Sequence, residues 1–532
     1  AGYNYEAKYY RDLTAANDGL LSEDLSDFNL AKGTTNFTLN GGRNEYAIMG
    51  WFYRAAYDYK GKYLAEVNGR YDGTSRFPRG KRYGFFPSFS AAYRISEEAF
   101  FEPLRKTVDN LKIRLSYGSL GNQQIGYYDF IQTITTKGSM GDYSFDGTIL
   151  GQHATVSDPV SGNQTWEKVI SKNLGADLNM FSNRLSLTAD FYIRDTKGIL
   201  GKGKSLPSIY GANEPQVNSN NLRTKGYELV LGWRDSFKLA GSTFSYGITG
   251  TFSDYTAEYT KCDNPSGLIG GPYVGKKYGE IWGYKVDGLF RNDEEAAEYA
   301  SRVDLSKVAA GYYSATGAYG KGVRGGDIKY LDLDGSGIVD GGKGTLEDPG
   351  DRRVIGNSSP RYQYGLTLNL SWYGFDLSVF MQGIGRLDWY PGADNLRFWG
   401  PYSRPYATFI PKNFMSQVWS ESNPDAYLPR ARAYTSLNST QGTAYYTNDR
   451  YLQNLAYCRL KNLTLGYTIP KRLTSKVGIK ECRVYFSGEN LATWSALKND
   501  FLDPEQAAAN SDKKSNVYPW CRTYSVGLNL TF

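Results

Sequence analysis

The sequence has almost no histidine and no long apolar run, features on which many enzymes and all helical membrane proteins respectively depend. It has a single histidine, His153, and five methionines among 532 residues, and its mean hydropathy is −0.51. No stretch reaches the ~18 consecutive apolar residues that a membrane-spanning helix needs. One histidine offers no Ser–His–Asp or Cys–His arrangement. The sequence therefore predicts neither a helical membrane protein nor an enzyme.

Cysteine is scarce, and charge of one sign is nowhere concentrated. The four cysteines, Cys262, Cys458, Cys482 and Cys521, form no C-x-x-C pair and have no histidine cluster beside them, so no zinc site is expected. They are interpreted as small packing residues, and a disulfide between two of them stays open. The 61 basic and 54 acidic residues are mixed along the chain, with a net charge of +7. Without a basic block, no nucleic-acid partner is expected.

What the sequence does contain is strand-forming and turn-forming residues in a strict alternation. Tyrosine occurs 46 times and glycine 60 times, and aromatic residues make up 15% of the chain. Tyrosine and other aromatic residues favour pleated, half-buried surfaces, while glycine favours turns. Apolar and polar residues alternate over 185–193, 362–372, 375–382, 463–469 and 524–532. This period of two predicts an all-β protein.

The length and the ends of these segments favour a transmembrane barrel over a soluble sandwich. The alternating segments are long, and several have the ~9–11 residues that cross a bilayer at a tilt. Aromatic residues close several apolar faces, as Tyr362 and Trp372 do for one strand, which is typical of the girdles at membrane interfaces. Charged residues such as Asp190 and Arg194 occupy the opposite face. They would be costly in a dry core but are tolerated in a wet lumen.

The connections between the predicted strands alternate in length. The turns at 59–62 and 373–374 are tight, whereas the segments at about 120–165, 255–355 and 383–450 are long and rich in turn residues. Short turns on one side and long extracellular loops on the other form the layout of an outer-membrane barrel. We expect about fourteen strands, with little helix beyond a candidate at 293–299. The last alternating strand ends at Phe532, an aromatic terminus typical of barrels.

Several motifs, in collinear order, resemble one family. They are RYDGTSRF at 70–77, LKIRLSYG at 111–118, KGYEL at 225–229, IWGY at 281–284 and RLKNLTLGY at 459–467. With others between them, they cover nearly the whole chain. The sequence is therefore identified as similar to the SusC/RagA-type TonB-dependent transporters of the Bacteroidota.

The resemblance implies a fold and a function, both stated here as expectations. Residues 1–532 would form the C-terminal ~14 strands of a barrel of about 22 strands in the bacterial outer membrane. The plug, the TonB-contacting segment and the first strands would lie outside this chain. The protein would import oligosaccharides, or less often peptides, with a SusD-like lipoprotein and with energy from the TonB–ExbB–ExbD complex. Transporter–lipoprotein pairs would form a dimer. A passive porin or adhesion barrel and a soluble carbohydrate-binding protein are the alternatives.

An Asp/Gly-rich segment resembles a calcium loop. Asp332, Asp334 and Ser336 stand at positions 1, 3 and 5, and a glycine follows at position 6, as an oxygen-lined Ca²⁺ loop requires. Asp340 is a further candidate ligand. Position 12 is Lys343, which cannot bind a cation, so the loop would close with Asp351, or with Asp348 in the intervening insertion. The alternative is a turn-rich loop that binds nothing.

The third long segment contains a cluster of aromatic and polar residues that could bind a sugar. Flat rings stack on the C–H faces of sugars, and neighbouring polar groups bind the hydroxyls. The candidate ligand-binding residues are Trp389, Tyr390, Asp394, Asn395, Arg397, Trp399 and Tyr402. Packing within the loop or at the membrane interface is the first alternative, and contact with a protein partner is the second.

Overall fold

A computed structural model describes the chain except for residues 21, 23, 25–26, 34–36, 138–143, 146–147, 150–152, 205, 314–321, 405, 407, 409, 411, 433–436, 438–441, 499–501 and 509–517. Its main element is one fourteen-stranded antiparallel sheet in which neighbouring strands follow each other along the chain. The expected all-β fold and strand number are confirmed. Within the described residues, the first and last strands of the sheet each pair with a single neighbour.

The strands of this sheet are labelled β1 to β14 in chain order. They are β1 Gly2–Ala16, β2 Thr38–Tyr59, β3 Tyr63–Thr74, β4 Tyr83–Arg94, β5 Val108–Asn122, β6 Glu167–Met180, β7 Leu185–Lys202, β8 Gln216–Leu239, β9 Ser242–Lys261, β10 Arg361–Trp372, β11 Phe375–Arg386, β12 Tyr457–Thr468, β13 Glu481–Ser495 and β14 Thr523–Thr531.

The connections at the two ends of the sheet differ in length. One end has the connections 60–62, 95–107, 181–184, 240–241, 373–374 and 469–480. The other end has 17–37, 75–82, 123–166, 203–215, 262–360, 387–456 and 496–522. The three longest of these, 123–166, 262–360 and 387–456, lie close to the three ranges that the sequence indicates as long loops.

The connections contain short helices and small two-stranded sheets. The α-helices are α1 Asp293–Ala300, α2 Ala310–Tyr313, α3 Leu396–Trp399 and α4 Lys471–Thr474. The 3-10 helices are Phe28–Leu30, Ile95–Glu97, Ala99–Leu104, Ser208–Tyr210, Gly400–Tyr402, Met415–Gln417 and Ser475–Val477. The small sheets pair Ile134–Lys137 with His153–Val156, Ser144–Phe145 with Thr148–Ile149, Glu280–Tyr284 with Arg352–Asn357, Val286–Leu289 with Ile328–Tyr330, and Asp388–Trp389 with Gln453–Asn454. None of the described helices is long and apolar enough to cross a membrane.

One face of the sheet is apolar because the strand register aligns the apolar positions of neighbouring strands. On β10, Leu366 lies opposite Gly250 of β9 and Met381 of β11, and Leu368 lies opposite Ile248 and Val379. Directly opposite residues point to the same face of a sheet. The apolar alternation of single strands thus becomes a continuous apolar surface.

Aromatic side chains form two rows on this apolar face. Toward the long connections, one run comprises Tyr3, Trp51, Tyr71 and Tyr83, and another comprises Phe191, Tyr227, Phe252 and Tyr362. At the short-turn end the row includes Tyr63, Tyr93, Phe237, Phe244, Trp372, Phe375 and Tyr467. Ten residues separate Tyr362 from Trp372, which is about 33 Å along a strand and roughly 25 Å at a tilt of about 40°. This is the height of a barrel's membrane band.

The opposite, polar face carries ion pairs that close over glycines. The Arg114 guanidinium on β5 is 2.9 Å from the Asp190 carboxylate on β7, and Gly175 of β6 lies between them in register. A Cβ atom on Gly175 would lie 2.5 Å from an Asp190 oxygen and 2.7 Å from the Arg114 Cζ. Arg483 and Asp376 pair over Gly466 in the same way. These ion pairs therefore link alternate strands across a bare middle strand.

Candidate functional site

The connections 262–360 and 387–456 fold together into one body, here called the loop lobe. Phe290, Tyr312 and Tyr330 of the first connection belong to the same buried cluster as Trp399 and Tyr451 of the second, and all five are completely buried. The lobe thus has a hydrophobic core of its own, separate from the strand sheet. Because the core contains residues from both connections, neither one is an independent flexible loop.

A buried asparagine joins the two halves of the lobe. Asn448 is fully buried, and its side-chain amide donates to the Tyr330 hydroxyl of the first connection at 3.5 Å and to the Tyr390 hydroxyl of the second at 3.1 Å. The adjacent backbone carbonyl of Thr447 accepts a hydrogen bond from the Tyr284 N–H at 2.9 Å. The side-chain amide of Asn448 is therefore paired within the core, as a buried polar group requires.

A buried ion pair makes a second link between the halves. The Arg432 guanidinium contacts the Asp327 carboxylate through two hydrogen bonds, at 2.9 and 2.5 Å, and lies over the Tyr312 ring at 4.1 Å. Burial raises the pKa of Asp327 to about 6, and the charge of Arg432 opposes this rise. A carboxylate so deeply buried depends on its paired cation.

The aromatic residues predicted to bind a sugar are mostly part of the lobe core. Trp389, Tyr390, Trp399 and Tyr402 are between 0% and 6% exposed. Because packing covers these rings, they offer no free face to a sugar, and their burial argues for the loop-packing interpretation. Asn395, also fully buried, caps α3 by accepting a hydrogen bond from the Phe398 N–H.

The two charged residues of the same prediction lie at the surface. Asp394 and Arg397 are both exposed, and Asp394 is 3.6 Å from the Arg404 guanidinium. These side chains are accessible to a ligand, but the stacking rings expected beside them are not. The proposed combination of ring and polar group is therefore not assembled here.

The acidic loop brings three of its candidate ligands together. Carboxylate oxygens of Asp332, Asp334 and Asp351 lie within 4.8 Å of one another. Two oxygens that bind one Ca²⁺ at 2.3–2.6 Å can be at most about 5 Å apart, so the spacing fits a shared cation. Hydrogen bonds from Ser336 lower the pKa of Asp334, whereas burial raises the pKa of Asp351.

The structure also indicates which residue closes this loop. Asp351 is fully buried and accepts the backbone N–H groups of Leu333 and Asp340, at 2.6 and 2.8 Å. Asp348, the other possibility, is instead a half-buried residue 4.0 Å from Lys343. The carboxylate of Asp340 lies outside the three-residue group and caps the Gly342 N–H. The Ser336 hydroxyl donates to the Ile338 carbonyl.

Comparison with known proteins identifies the sheet. Residues 1–491 match the family model described as TonB dependent receptor-like, beta-barrel. The chain belongs to this family. It is therefore an outer-membrane β-barrel protein, with its apolar face toward lipid and its polar face toward the lumen.

Relatives of this receptor barrel are about twice its length. TonB-dependent receptor P3 of Formosa agariphila is 26% identical over 100% of the chain and 50% of the relative. TonB-dependent receptor SusC of Bacteroides thetaiotaomicron is 24% identical over 91% of the chain and 44% of the relative. The RagAB peptide transporter structure is similar in fold, with a TM-score of 0.73 at 22% identity over 100% of the chain and 52% of that chain. The receptor barrel thus spans about half the length of the curated relatives that it matches.

A further connection of the receptor barrel is anchored to its lumen wall. Arg459 of β12, 2% exposed at its side chain, pairs with Asp503 at 2.7 Å and Glu505 at 2.8 Å, both in the β13–β14 connection. Leu502 and Ala507 of the same connection pack into the core of the loop lobe. Sequence reasoning missed this anchor, although Arg459 begins one of the family motifs. It also missed Asp327, Arg432 and Asn448, which stand in none of the motifs found in the sequence.

Proposed function

We propose that the full-length protein imports an oligosaccharide across the outer membrane, with energy supplied through TonB. The observation that carries the proposal is the family match of residues 1–491. In this barrel, the two longest connections of the sheet fold into a lobe at one end. A lobe at the mouth of a barrel is in a position to control which solutes enter. Passive pores have no need of a TonB-dependent architecture.

The paired charges on the lumen wall favour a neutral polar substrate. Arg70 pairs with Asp72, Arg114 pairs with Asp177 and Asp190, and the Arg483–Asp376 pair lies on the same face. Charges that neutralise each other attract a charged solute weakly, while serine, threonine and asparagine side chains on this wall can bind hydroxyl groups. Import of a peptide is the alternative substrate class, favoured by the similarity in fold to the RagAB peptide transporter.

A protein partner at the lobe is part of the proposal. Val274 and Tyr278 are 64% and 53% exposed on the lobe, and Leu268 and Leu346 are 49% and 44% exposed. Exposed apolar side chains of this kind mark surfaces that bind other proteins. A SusD-like surface lipoprotein over the lobe would cover them, and two such pairs would form the proposed dimer.

Deletion of TonB is expected to abolish uptake of a fluorescein-labelled neutral glucose hexasaccharide by cells that express the full-length protein. The physical reason is that the family's import step draws its energy from TonB. Uptake should fall at least tenfold, to the level of cells lacking the receptor. Persistent uptake without TonB would identify a passive pore instead. A labelled hexapeptide is tested in parallel. Entry of the peptide but not of the sugar would identify a peptide as the substrate.

We also propose that Asp332, Asp334 and Asp351 bind calcium in the loop lobe. The grouping of three carboxylates and the closure by buried Asp351 support this proposal. A bound divalent cation would neutralise three like charges that now lie close together. It would thereby tie the acidic loop to the strand Arg352–Asn357 that follows it.

Substitution Asp334→Ala is expected to remove about one bound calcium ion per chain, measured by elemental analysis of the purified full-length protein. At a calcium concentration about 100 times the dissociation constant, the wild-type lobe should gain about 2–3 kcal/mol of stability that the variant lacks. Asp348→Ala removes a nearby half-buried carboxylate and serves as the matched control. Unchanged calcium content in Asp334→Ala would count against the site.

A further inference from the structure

A groove on the lipid-facing surface of the sheet combines an apolar floor with a basic edge. It has a volume of about 640 Å³, and its floor includes Leu115, Leu174, Phe191 and Tyr227 on strands β5 to β8. Lys172 and Lys225 line the edge nearer the long connections. This surface is here called the basic groove.

Strand register shows that the basic groove faces outward. Leu174 lies opposite Leu115 and Phe191, and all three are about half exposed on the apolar face. Lys172 and Lys225 both lie opposite Ile193 of the intervening strand β7, one row closer to the long connections. Their Cα atoms are therefore about 9–10 Å apart, on the same face as the apolar floor.

The carboxylates nearest the two lysines are each paired directly with another cation, although the charge of Lys225 also acts on Glu258. Asp254, at the end of the groove, is bound by Arg361 through two hydrogen bonds of 2.6 Å. Asp195 and Glu258, in the next row, are paired with Arg223 and Lys277 respectively.

Neither Lys172 nor Lys225 makes a salt bridge within the part of the chain that the structure describes. Each acid in the vicinity already has its own cation. The edge of the basic groove is therefore positive, and it attracts an anion.

The position of the basic groove determines what kind of anion reaches it. The groove lies at the aromatic row on the side of the long connections, where hydrocarbon ends and headgroups begin. An occupant must cover apolar side chains with hydrocarbon and place negative charge one row higher. Lysine and arginine at such an interface bind anionic lipid headgroups. A free inorganic anion would match the lysines but not the floor.

We propose that the basic groove binds a lipid with a phosphate-bearing headgroup, with an acyl chain over Leu174 and Phe191 and the phosphate between Lys172 and Lys225. This inference rests on the outer-membrane location of the barrel and not on the imported substrate. The lipid would occupy the seam between strands β6, β7 and β8. It would thereby hold these strands at a fixed depth in the membrane.

The test compares two double variants of the full-length protein, each of which removes two positive charges. Lys172→Gln with Lys225→Gln alters the basic groove. Lys168→Gln with Lys197→Gln alters a register pair on the same face, about 13 Å farther from the membrane. Delipidated protein is titrated with phosphatidylglycerol or phosphatidylcholine of equal chain length, and bound lipid is counted by native mass spectrometry.

The wild type and the Lys168/Lys197 variant should bind phosphatidylglycerol at least tenfold more tightly than phosphatidylcholine, and the Lys172/Lys225 variant should lose this preference. Equal losses in both variants, or none in either, would overturn the proposal. So would equal binding of both lipids by the wild type. Displacement of phosphatidylglycerol by millimolar inorganic phosphate would point to an ion site instead, and would also refute it.

Discussion

Substitution Arg432→Met is expected to destabilise the loop lobe by about 3–5 kcal/mol, because it leaves the Asp327 carboxylate buried without its cation. Both side chains are almost fully buried and make two hydrogen bonds to each other. The loss is measured by heating the purified receptor and using limited proteolysis to detect unfolding of the lobe. The matched control is Arg302→Met, which removes an exposed pair with Glu298 and should cost at most about 0.5 kcal/mol.

The loss should depend on pH with a defined sign. In the wild type, burial already raises the pKa of Asp327 to about 6, and removal of Arg432 raises it further. A carboxyl group whose pKa is higher in the folded state binds protons preferentially in that state, so stability falls as pH rises. The variant should therefore be closest to the wild type near pH 4 and furthest from it near pH 8.

A second variant separates the loss of an ion pair from general damage. Combining Arg432→Met with Asp327→Leu replaces the ion pair by apolar groups and should recover most of the lost stability, since no charge is then left buried. If the double variant is as unstable as Arg432→Met alone, the cost comes from the packing of Arg432 on Tyr312 and not from the unpaired carboxylate.

An arginine at Leu366 is expected to cost about 2–4 kcal/mol of folding free energy in a bilayer, because this position faces lipid near the middle of the membrane band. Leu366 is 42% exposed on the apolar face, between the aromatic residues Tyr362 and Trp372. The adjacent Thr367→Arg places the same side chain on the lumen face and should cost about 1 kcal/mol or less.

The comparison is made by refolding both variants into phosphatidylcholine vesicles and following tryptophan fluorescence. The two positions are adjacent on one strand and receive the same substituent, so the variants differ in the face of the sheet that carries the arginine. Equal costs at Leu366 and Thr367 would contradict the assignment of the two faces. A larger cost at Thr367 would reverse the assignment, because it would mean that Thr367 faces the lipid and Leu366 faces the lumen.

Local alternation accounts for most of the fold that the sequence predicts. The segments 185–193 and 362–372 lie within strands of the sheet, and 524–532 does so except for its last residue. The helix expected at 293–299 is α1. Alternation is readable because each strand has one lipid-facing side. The full length of β8, Gln216–Leu239, could not be predicted because its hydrogen bonding continues beyond the membrane, where both faces are polar.

Irregular pairing explains a residue that sequence alone places on the wrong face. Simple alternation puts Arg459 on the lipid side together with Leu463 and Leu465. A bulge between Leu460 and Asn462 shifts the register, so that Arg459 lies opposite Gln382 on the lumen side. Bulges have no sequence signature that alternation can reveal. The ion pairs of Arg459 were hidden for this reason.

The candidate sites differ in how close together their residues lie in the sequence. Asp332 and Asp334 could be found from loop spacing, and the structure brings Asp351 to them through hydrogen bonds with Leu333 and Asp340. The aromatic cluster near 389–402 was ambiguous, since composition does not distinguish a sugar platform from a packed core. Asp327 and Arg432 are 105 positions apart, and only tertiary folding brings them together.

The ion pairs that close over Gly175 and Gly466 have a consequence for how the barrel assembles. A strand that inserted one residue out of register would place a side chain beneath the arginine and the carboxylate, and the pair could not form. Each pair thus acts as a check on three strands at once. A misaligned strand would leave two unmatched charges facing the lumen. The ion pairs therefore favour the correct alignment of the three strands that they connect.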